Sequence, residues 1–244
     1  MAPWMRRLYL MRHGETLYLG PRSPDGTDLT PEGRSQVERA AAALAGVGLD
    51  LVLTSPAVRA RGTAGIVAAR LELPVEVEEG LREITPGPLE GVELHDVFAD
   101  VVRFFSGRDV TVDTPFLGGE TFRQVRTRTL AAVARLLARP GWRTALAVAH
   151  GGANMALLAG LLGLEQGGLP PLEQDLACIN VIDFDDDGRP LVRLVNLSVH
   201  DPLKGDHREP SFVRLRRVLA ERGEQLRGVR WRSGGDPPGS GNFP

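Results

Sequence analysis

Cysteine is almost absent from this chain of 244 residues, in which Cys178 stands alone, so no intrachain disulfide can form within it. Small secreted domains often depend on disulfides, and a chain without them is more typical of a reducing compartment. The chain also lacks a large excess of charge of either sign, because the formal net charge is only -2. This balance argues against a general nucleic-acid binder, which would need a concentrated basic surface.

The amino-terminal apolar run is too short for a targeting or membrane segment. Arg6 and Arg7 precede only the apolar residues 8–11, and Arg12 follows directly. A signal peptide needs a longer apolar region, and a spanning helix needs about 20 apolar residues. We therefore expect a cytoplasmic protein that binds neither a membrane nor nucleic acid.

The composition that remains is that of a globular protein, with 42% hydrophobic and 25% charged residues. Apolar runs of strand length alternate with longer segments of helical period. The strand candidates are 8–11, 51–54, 75–77, 144–149, 179–184 and 191–195, and the helix candidates are 31–45, 56–71, 94–105, 121–138, 153–162 and 210–222. Such alternation is typical of βαβ units. We predict an α/β three-layer sandwich, with a mainly parallel central sheet flanked by helices on both faces.

The alternation is interrupted once and ends before the carboxyl terminus. Residues 1–200 are predicted to form one α/β domain, in which the irregular segment 85–119 is a lid or specificity insertion. The sequence becomes polar from about Asp201. Residues 201–244 are predicted to be an extension that contains the basic helix 210–222 and a flexible tail rich in Gly and Pro.

Residue patterns in the helix candidates predict where two helices begin and which arginines face solvent. Thr30 and Ser55 each precede a proline and are predicted N-caps, the latter of the helix that carries Arg59. In the helix 121–138, apolar positions face the core and the arginines are predicted to be mostly a solvated face: Arg123, Arg126, Arg128 and Arg135. The preceding Gly118-Gly119-Glu120 lacks the lysine of a nucleotide-binding loop and is predicted to end a loop.

Two short motifs carry the clearest chemical information. Arg12-His13-Gly14-Glu15-Thr16 follows the first strand candidate, and Ala149-His150-Gly151-Gly152 straddles the end of the fourth. Ligands of open α/β sheets bind outside the carboxyl ends of the strands. A histidine can act as a covalent catalyst, and an arginine can hold two phosphate oxygens. The motifs together suggest a phosphate pocket with a histidine nucleophile.

Two weaker motifs could complete such a pocket. A phosphate-ester hydrolase without a metal needs cations around the phosphoryl group and an acid that protonates the leaving alkoxide. Arg59 lies in the first turn of a helix at a strand end, although alone it would be interpreted as a surface arginine. Glu83 follows the strand candidate 75–77, where an isolated carboxylate is usually only solvated.

Taken together and in this order, the motifs resemble those of the histidine phosphatase superfamily, the phosphoglycerate-mutase-like proteins. The resemblance spans about residues 7–200. Its further matching segments are Leu29-Thr30-Pro31-Glu32-Gly33 with Gln36, Thr63-Ala64, Gly87, Glu90-Gly91, Gly118-Gly119-Glu120-Thr121 and 196–200.

The resemblance implies a role for each matching residue. His13 corresponds to the nucleophile that forms a phosphohistidine, and Glu83 to the proton donor to the leaving group, with Glu90 as the competing carboxylate. The residues that correspond to the phosphoryl-holding groups are Arg12, Arg59 and His150. The reaction implied needs no metal ion or other cofactor, and the partner implied is a small phosphorylated metabolite.

One departure concerns the phosphate pocket. Many family members carry an Asn six residues after the nucleophile, preceded by a Trp, whereas this chain has Leu19 and Tyr18 there. The phosphate donor is therefore either missing or supplied from elsewhere, by Thr27 or a backbone N–H. Gly151, at a helix start, is likewise predicted to bind phosphate.

Several functions remain open from the sequence. The first is a phosphatase, and the second is a phosphoglycerate mutase, whose family members carry Tyr-Gly and Asn-Lys after the acid. Segment 84–98 contains no Lys, Tyr or Asn, which favours the phosphatase. A non-catalytic protein that binds a phosphate ligand or has a regulatory role is disfavoured because the five pocket residues are present. A metal-dependent hydrolase using His13 and His150 would be sensitive to a chelator, and no metal site is predicted. The sequence leaves the substrate and the oligomeric state open.

Overall fold

The computed structural model describes residues 6–16, 24–105, 110–164 and 170–205, together with residues 209, 211, 228 and 230. Six strands and five α-helices lie within these residues. The strands are β1 (Arg6–Arg12), β2 (Leu51–Thr54), β3 (Val75–Val77), β4 (Thr144–Ala149), β5 (Ile179–Phe184) and β6 (Pro190–Leu197). The helices are α1 (Pro31–Leu44), α2 (Val58–Leu71), α3 (Leu94–Phe105), α4 (Phe122–Ala138) and α5 (Gly151–Leu161).

The strands form one mixed sheet in the order β3-β2-β4-β1-β5-β6. The four strands from β3 to β1 pair in parallel, whereas β5 runs antiparallel to β1 and to β6. Only β5 therefore runs against the others, which confirms the prediction of a mainly parallel sheet. Because the first four strands are parallel, their carboxyl ends meet at one edge.

Alternation along the strands separates two hydrophobic cores. In β4, Ala145 and Ala147 face a core that includes residues of α4 and α5, whereas Leu146 and Val148 face a core built with α1 and α2. Successive side chains of a strand point to opposite faces, so a strand buried on both sides has no polar alternation. The helices thus cover both faces of the sheet, which confirms the predicted three-layer sandwich.

The N-cap of α1 is the predicted residue, whereas the N-cap of α2 is not. Thr30 caps α1, because its side chain accepts a hydrogen bond from the Gly33 N–H at 2.9 Å. The prediction that Ser55 caps the next helix is wrong: α2 begins at Val58, and its N-cap is Ala57, without a side-chain cap bond. The Ser55 hydroxyl instead contacts His150.

The irregular segment 85–119 contributes to the core as well as to the surface. It contains α3, and its buried side chains Phe104, Val110 and Phe116 pack in the same core as α4. Its role as a specificity insertion, and the boundary near residue 200, stay predictions. The predicted helix 210–222 (apart from Ser211), the tail, and the positions of Tyr18 and Leu19 lie outside the described residues. No helix among the described residues is long and apolar enough to cross a membrane.

Candidate active site

Three neighbouring strands deliver polar side chains to one edge of the sheet. His13 follows β1, Ser55 follows β2, and His150 follows β4. The backbone ties these positions together, because the His13 N–H donates to the carbonyl of Ala149 at 3.1 Å. The Ser55 N–H donates to the β4 residue Val148 at 2.9 Å. The two sequence motifs that suggested a pocket are therefore adjacent in space.

The geometry of His13 identifies its unprotonated ring nitrogen. The side chain is fully buried, and Nδ1 lies 2.7 Å from the carbonyl oxygen of Gly14. A carbonyl can only accept a hydrogen bond, so Nδ1 carries the proton and Nε2 carries the lone pair. Arg59 Nε donates toward this Nε2 at 3.3 Å. His13 thus presents an unprotonated nitrogen in a cationic environment.

Burial and charge keep His13 neutral. Its burial, followed by the charges of Arg59 and Arg12, lowers the pKa of His13 well below its usual value of about 6.5. Arg59 is itself buried, with an exposed fraction of 1%. Near neutral pH, His13 is therefore uncharged, and its Nε2 carries no proton.

The chain after His13 is held by close backbone packing. The Gly14 N–H donates to the Thr63 hydroxyl at 3.2 Å, and that hydroxyl donates to the Arg59 carbonyl at 2.9 Å. A Cβ on Gly14 would lie 2.5 Å from the Gly33 carbonyl oxygen, so only glycine fits there. The contact of Thr63 with Gly14 is a positioning role that the sequence motif alone did not assign.

Arg12 and His150 each contain a buried nitrogen that has no hydrogen-bond partner among the described residues. These atoms are Arg12 Nε and His150 Nδ1. Arg12 also donates through Nη1 to the Gln174 carbonyl, and Gly151 lies against its guanidinium. Buried polar nitrogens are normally satisfied, so two of them in one site indicate a ligand with acceptor oxygens.

The other nitrogen of His150 is bound to Ser55. His150 Nε2 lies 2.7 Å from the Ser55 hydroxyl, and the His150 and His13 ring centroids are 5.1 Å apart. Burial, followed by the charges of Arg59, His13 and Arg12, lowers the pKa of His150 well below its usual range. His150 is therefore also neutral near pH 7.

Glu83 is fixed at the start of the helix that follows His150. Its Oε2 accepts from the Gly152 N–H at 3.0 Å, and its Oε1 accepts from the Ala153 N–H at 3.0 Å. The Ile84 N–H also donates to Oε1, at 2.9 Å. The first amides of a helix are free to bind a carboxylate, and the helix dipole favours one there. The competing carboxylate, Glu90, is exposed.

The arginines of α4 are predicted to be mostly a solvated face, and Arg128 is an exception within it. Its guanidinium donates to the backbone carbonyls of Gly80, Arg82 and Glu83. The residue flanks the buried stripe of α4, where a long side chain can reach a neighbouring loop. Helical periodicity does not reveal this contact, because the acceptors are backbone atoms of another segment.

Two further predictions concern ligands at the site. Thr27 is half-buried in the loop that precedes α1, and its role as a phosphate donor stays a prediction. In the part of the chain that the structure describes, no group of three or more His, Cys, Asp or Glu side chains is arranged to hold a metal ion.

Comparison with known proteins connects this site to a family. The family profile described as histidine phosphatase superfamily (branch 1) matches residues 8–197. The chain is 32% identical over 187 residues to the adenosylcobalamin/alpha-ribazole phosphatase of Escherichia coli K12. The matched region covers 73% of this chain and 90% of that protein. The chain is 28% identical over 189 residues to the probable phosphoglycerate mutase GpmB of Salmonella paratyphi A, with coverage of 75% and 86%. The solved structure of mycobacterial glucosyl-3-phosphoglycerate phosphatase matches with a TM-score of 0.65 and 30% identity, over 79% of this chain and 99% of that one.

Proposed function

Because the chain belongs to the histidine phosphatase superfamily, branch 1, we propose that it hydrolyses a small phosphomonoester through a phosphohistidine formed on His13. The observation that carries this proposal is the buried, neutral His13, whose Nε2 lone pair lies beside the Arg59 guanidinium. A nucleophile without a proton, surrounded by cations, suits attack on an anionic phosphoryl group.

The first chemical step transfers the phosphoryl group to His13. Nε2 attacks phosphorus while the bond from phosphorus to the ester oxygen breaks, and the protonated form of Glu83 gives its proton to the departing alkoxide. In the second step, the Glu83 carboxylate takes a proton from water, whose oxygen attacks phosphorus. The phosphorus–nitrogen bond then breaks, inorganic phosphate leaves, and the lone pair returns to Nε2.

The remaining pocket groups stabilise the phosphoryl oxygens in both steps. Arg12 Nε is a buried donor that has no partner in the described part of the chain, and Arg59 supplies a second guanidinium. We propose that the Ser55 hydroxyl donates to His150 Nε2, which leaves the proton of neutral His150 on Nδ1. Among the described residues, Nδ1 has no hydrogen-bond partner. The N–H of Gly151, at the start of α5, is a further donor. Guanidinium groups thus supply the positive charge, and the proposed reaction requires no metal ion.

The names of the related phosphatases support a substrate class. Those named as phosphatases act on alpha-ribazole and glucosyl-3-phosphoglycerate compounds, which are small phosphorylated molecules. We propose a small phosphorylated metabolite for this chain, with segment 85–119 setting the specificity and Thr27 contributing a phosphate donor. The lone, buried Cys178 supports a location in the reducing cytoplasm.

Phosphate release from a panel of phosphomonoesters tests the proposal. The panel contains an activated aryl phosphate, alpha-ribazole phosphate, glucosyl-3-phosphoglycerate and simple sugar phosphates, each assayed with EDTA present. We expect activity that survives EDTA and is lost in His13→Ala, whose folding is verified by circular dichroism. Loss of activity with EDTA would refute the metal-free mechanism, and an active His13→Ala would refute the nucleophile.

A mutase is the second candidate, because one relative is named a probable phosphoglycerate mutase. A mutase returns the phosphoryl group to the substrate, whereas a phosphatase transfers it to water. Incubation with 3-phosphoglycerate and a bisphosphoglycerate primer separates the two activities. We expect release of inorganic phosphate without isomerisation of the phosphoglycerate. Isomerisation faster than phosphate release would reverse the assignment.

A further inference from the structure

An ion pair outside the phosphate pocket holds the loop that carries Glu83. Arg128 donates to Glu120 through two nitrogens, from Nε to Oε1 at 2.8 Å and from Nη2 to Oε2 at 2.9 Å. Both side chains are only 24% exposed. A bidentate pair of this kind fixes the orientation of the guanidinium as well as its position.

The remaining N–H groups of the Arg128 guanidinium donate to backbone carbonyls of this loop. Nη1 donates to the carbonyls of Gly80 at 2.9 Å and Arg82 at 2.7 Å, and Nη2 donates to that of Glu83 at 3.0 Å. Three acceptors on one turn of chain match the planar fork of an arginine. A lysine could keep the charge, but its single ammonium group could not reproduce this geometry.

Glu120 holds the other end of the same loop. Its Oε2 accepts from the Thr85 N–H at 2.9 Å, and its own N–H donates to the Thr85 carbonyl at 2.9 Å. A Cβ on Gly119 would lie 2.3 Å from the Thr85 carbonyl oxygen, so glycine permits this close approach. Although burial opposes ionisation of Glu120, the hydrogen bonds from Arg128 and Thr85 outweigh it and lower the Glu120 pKa.

The backbone is therefore fixed on both sides of Glu83, while the amides of α5 bind its carboxylate. We propose that the Glu120–Arg128 pair is a positioning device for Glu83, which aligns this carboxyl group with the leaving-group oxygen. The inference rests on the proposed function, in which Glu83 is the proton donor. It assigns a role to the Gly118-Gly119-Glu120 segment, which the sequence analysis interpreted only as the end of a loop.

The dependence of the rate on the leaving group tests this inference. An alkyl phosphate needs protonation of its leaving oxygen, whereas an activated aryl phosphate does not. Misplacing a catalytic group by about 1 Å can cost about 10²-fold in rate. We expect Arg128→Met to lower kcat/KM about 10- to 100-fold for an alkyl phosphate and less than about 3-fold for an aryl phosphate. Glu120→Gln, which keeps the shape of the side chain, should show the same pattern to a smaller extent.

A matched control lies on the same helix. Arg123 makes a similar bidentate ion pair with Asp113, at 2.6 and 2.8 Å, on an exposed surface. Arg123→Met should leave the rates with both substrates unchanged. Arg128→Lys should remain deficient with the alkyl phosphate, because the three carbonyl contacts need the guanidinium fork. Vanadate, as a probe of the phosphoryl pocket, should inhibit all variants with an unchanged constant.

Four results separate this inference from the proposed function. Equal losses of kcat/KM with both substrates in Arg128→Met and Glu120→Gln would overturn the positioning role. Weaker inhibition by vanadate, to an extent that accounts for the loss of kcat/KM, would also overturn it. In Glu83→Gln, adding Arg128→Met should cause little further loss with the alkyl phosphate, and a full additional loss would also overturn it. If Glu83→Gln alone lowers both rates equally, the assignment of Glu83 as the acid fails, and this inference fails with it. Should Arg128→Met not fold, Glu120→Gln carries the test.

Discussion

The substitution Gly152→Ala should displace Glu83, the proposed proton donor, without disturbing His13, the proposed nucleophile. Gly152 is the second residue of α5, and its N–H donates to Glu83 Oε2. A Cβ at this position would lie 2.5 Å from Glu83 Oε1 and 3.3 Å from its carboxyl carbon. The clash is with the end of a flexible side chain rather than with backbone, so the helix can keep its place while the carboxylate moves.

The size of the effect follows from that distance. Reaching ordinary contact requires the carboxylate to shift by about 1 Å, and a misplacement of this size can cost about 10²-fold in rate. We expect kcat/KM for an alkyl phosphate to fall about 100-fold, while hydrolysis of an activated aryl phosphate falls less than about 3-fold. Alanine favours a helix over glycine by about 0.5–1 kcal/mol, which supports retained folding.

The assay compares the two substrates in steady-state kinetics, with thermal unfolding as a check of the fold. Gly65→Ala is the matched control, because a Cβ on this α2 glycine would meet no atom of the described residues within 4 Å apart from the adjoining backbone of its own helix. It should keep full activity with both substrates. A Gly152→Ala enzyme that hydrolyses both substrates at the normal rate would refute the placement of Glu83. Equal losses on both would refute its role as an acid.

Two other predictions follow from the buried histidines. Ser55→Ala removes the hydroxyl that lies beside His150 Nε2. We therefore expect about 10-fold weaker inhibition by vanadate and a lower kcat/KM with both substrates. Unchanged vanadate inhibition would refute the role of Ser55 in setting the tautomer of His150. Stability should fall with acid because burial lowers the pKa values of His13 and His150, so that below about pH 6.5 the unfolded chain binds protons that the folded chain does not. Stability from these residues is thus present above about pH 6.5 and decreases as the pH falls below it. Urea unfolding at about pH 7.5 and about pH 5 measures this loss, and His150→Asn should show a smaller loss because it keeps only one of the two histidines; an equal loss in the variant would contradict the assignment.

Most of the sheet could be predicted because its strands are continuous apolar runs with clear ends. The structure places β2, β3, β4 and β5 within the predicted residues, and β1 and β6 extend one or two residues further. Parallel strands bring their carboxyl ends together whatever the loops do, so His13 and His150 could be assigned to one edge before the structure was known.

The parts that could not be predicted are long-range choices between partners. The Ser55 hydroxyl could bind an amide of its own helix or a distant side chain, and His150, 95 positions away, is its close partner. Arg128 lies beside the buried stripe of α4, and its acceptors are carbonyls 45 to 48 positions away. Local periodicity contains no information on such contacts, because they depend on how separate elements pack.

The stereochemical course at phosphorus distinguishes a phosphohistidine intermediate from direct attack by water. A thiophosphate ester made chiral with two oxygen isotopes is hydrolysed in water that carries the third isotope, and the configuration of the released thiophosphate is determined by phosphorus NMR. Attack by His13 and then by water makes two in-line displacements, each of which inverts phosphorus, so the account predicts net retention of configuration. Net inversion would show direct attack by water and would contradict the phosphohistidine on His13.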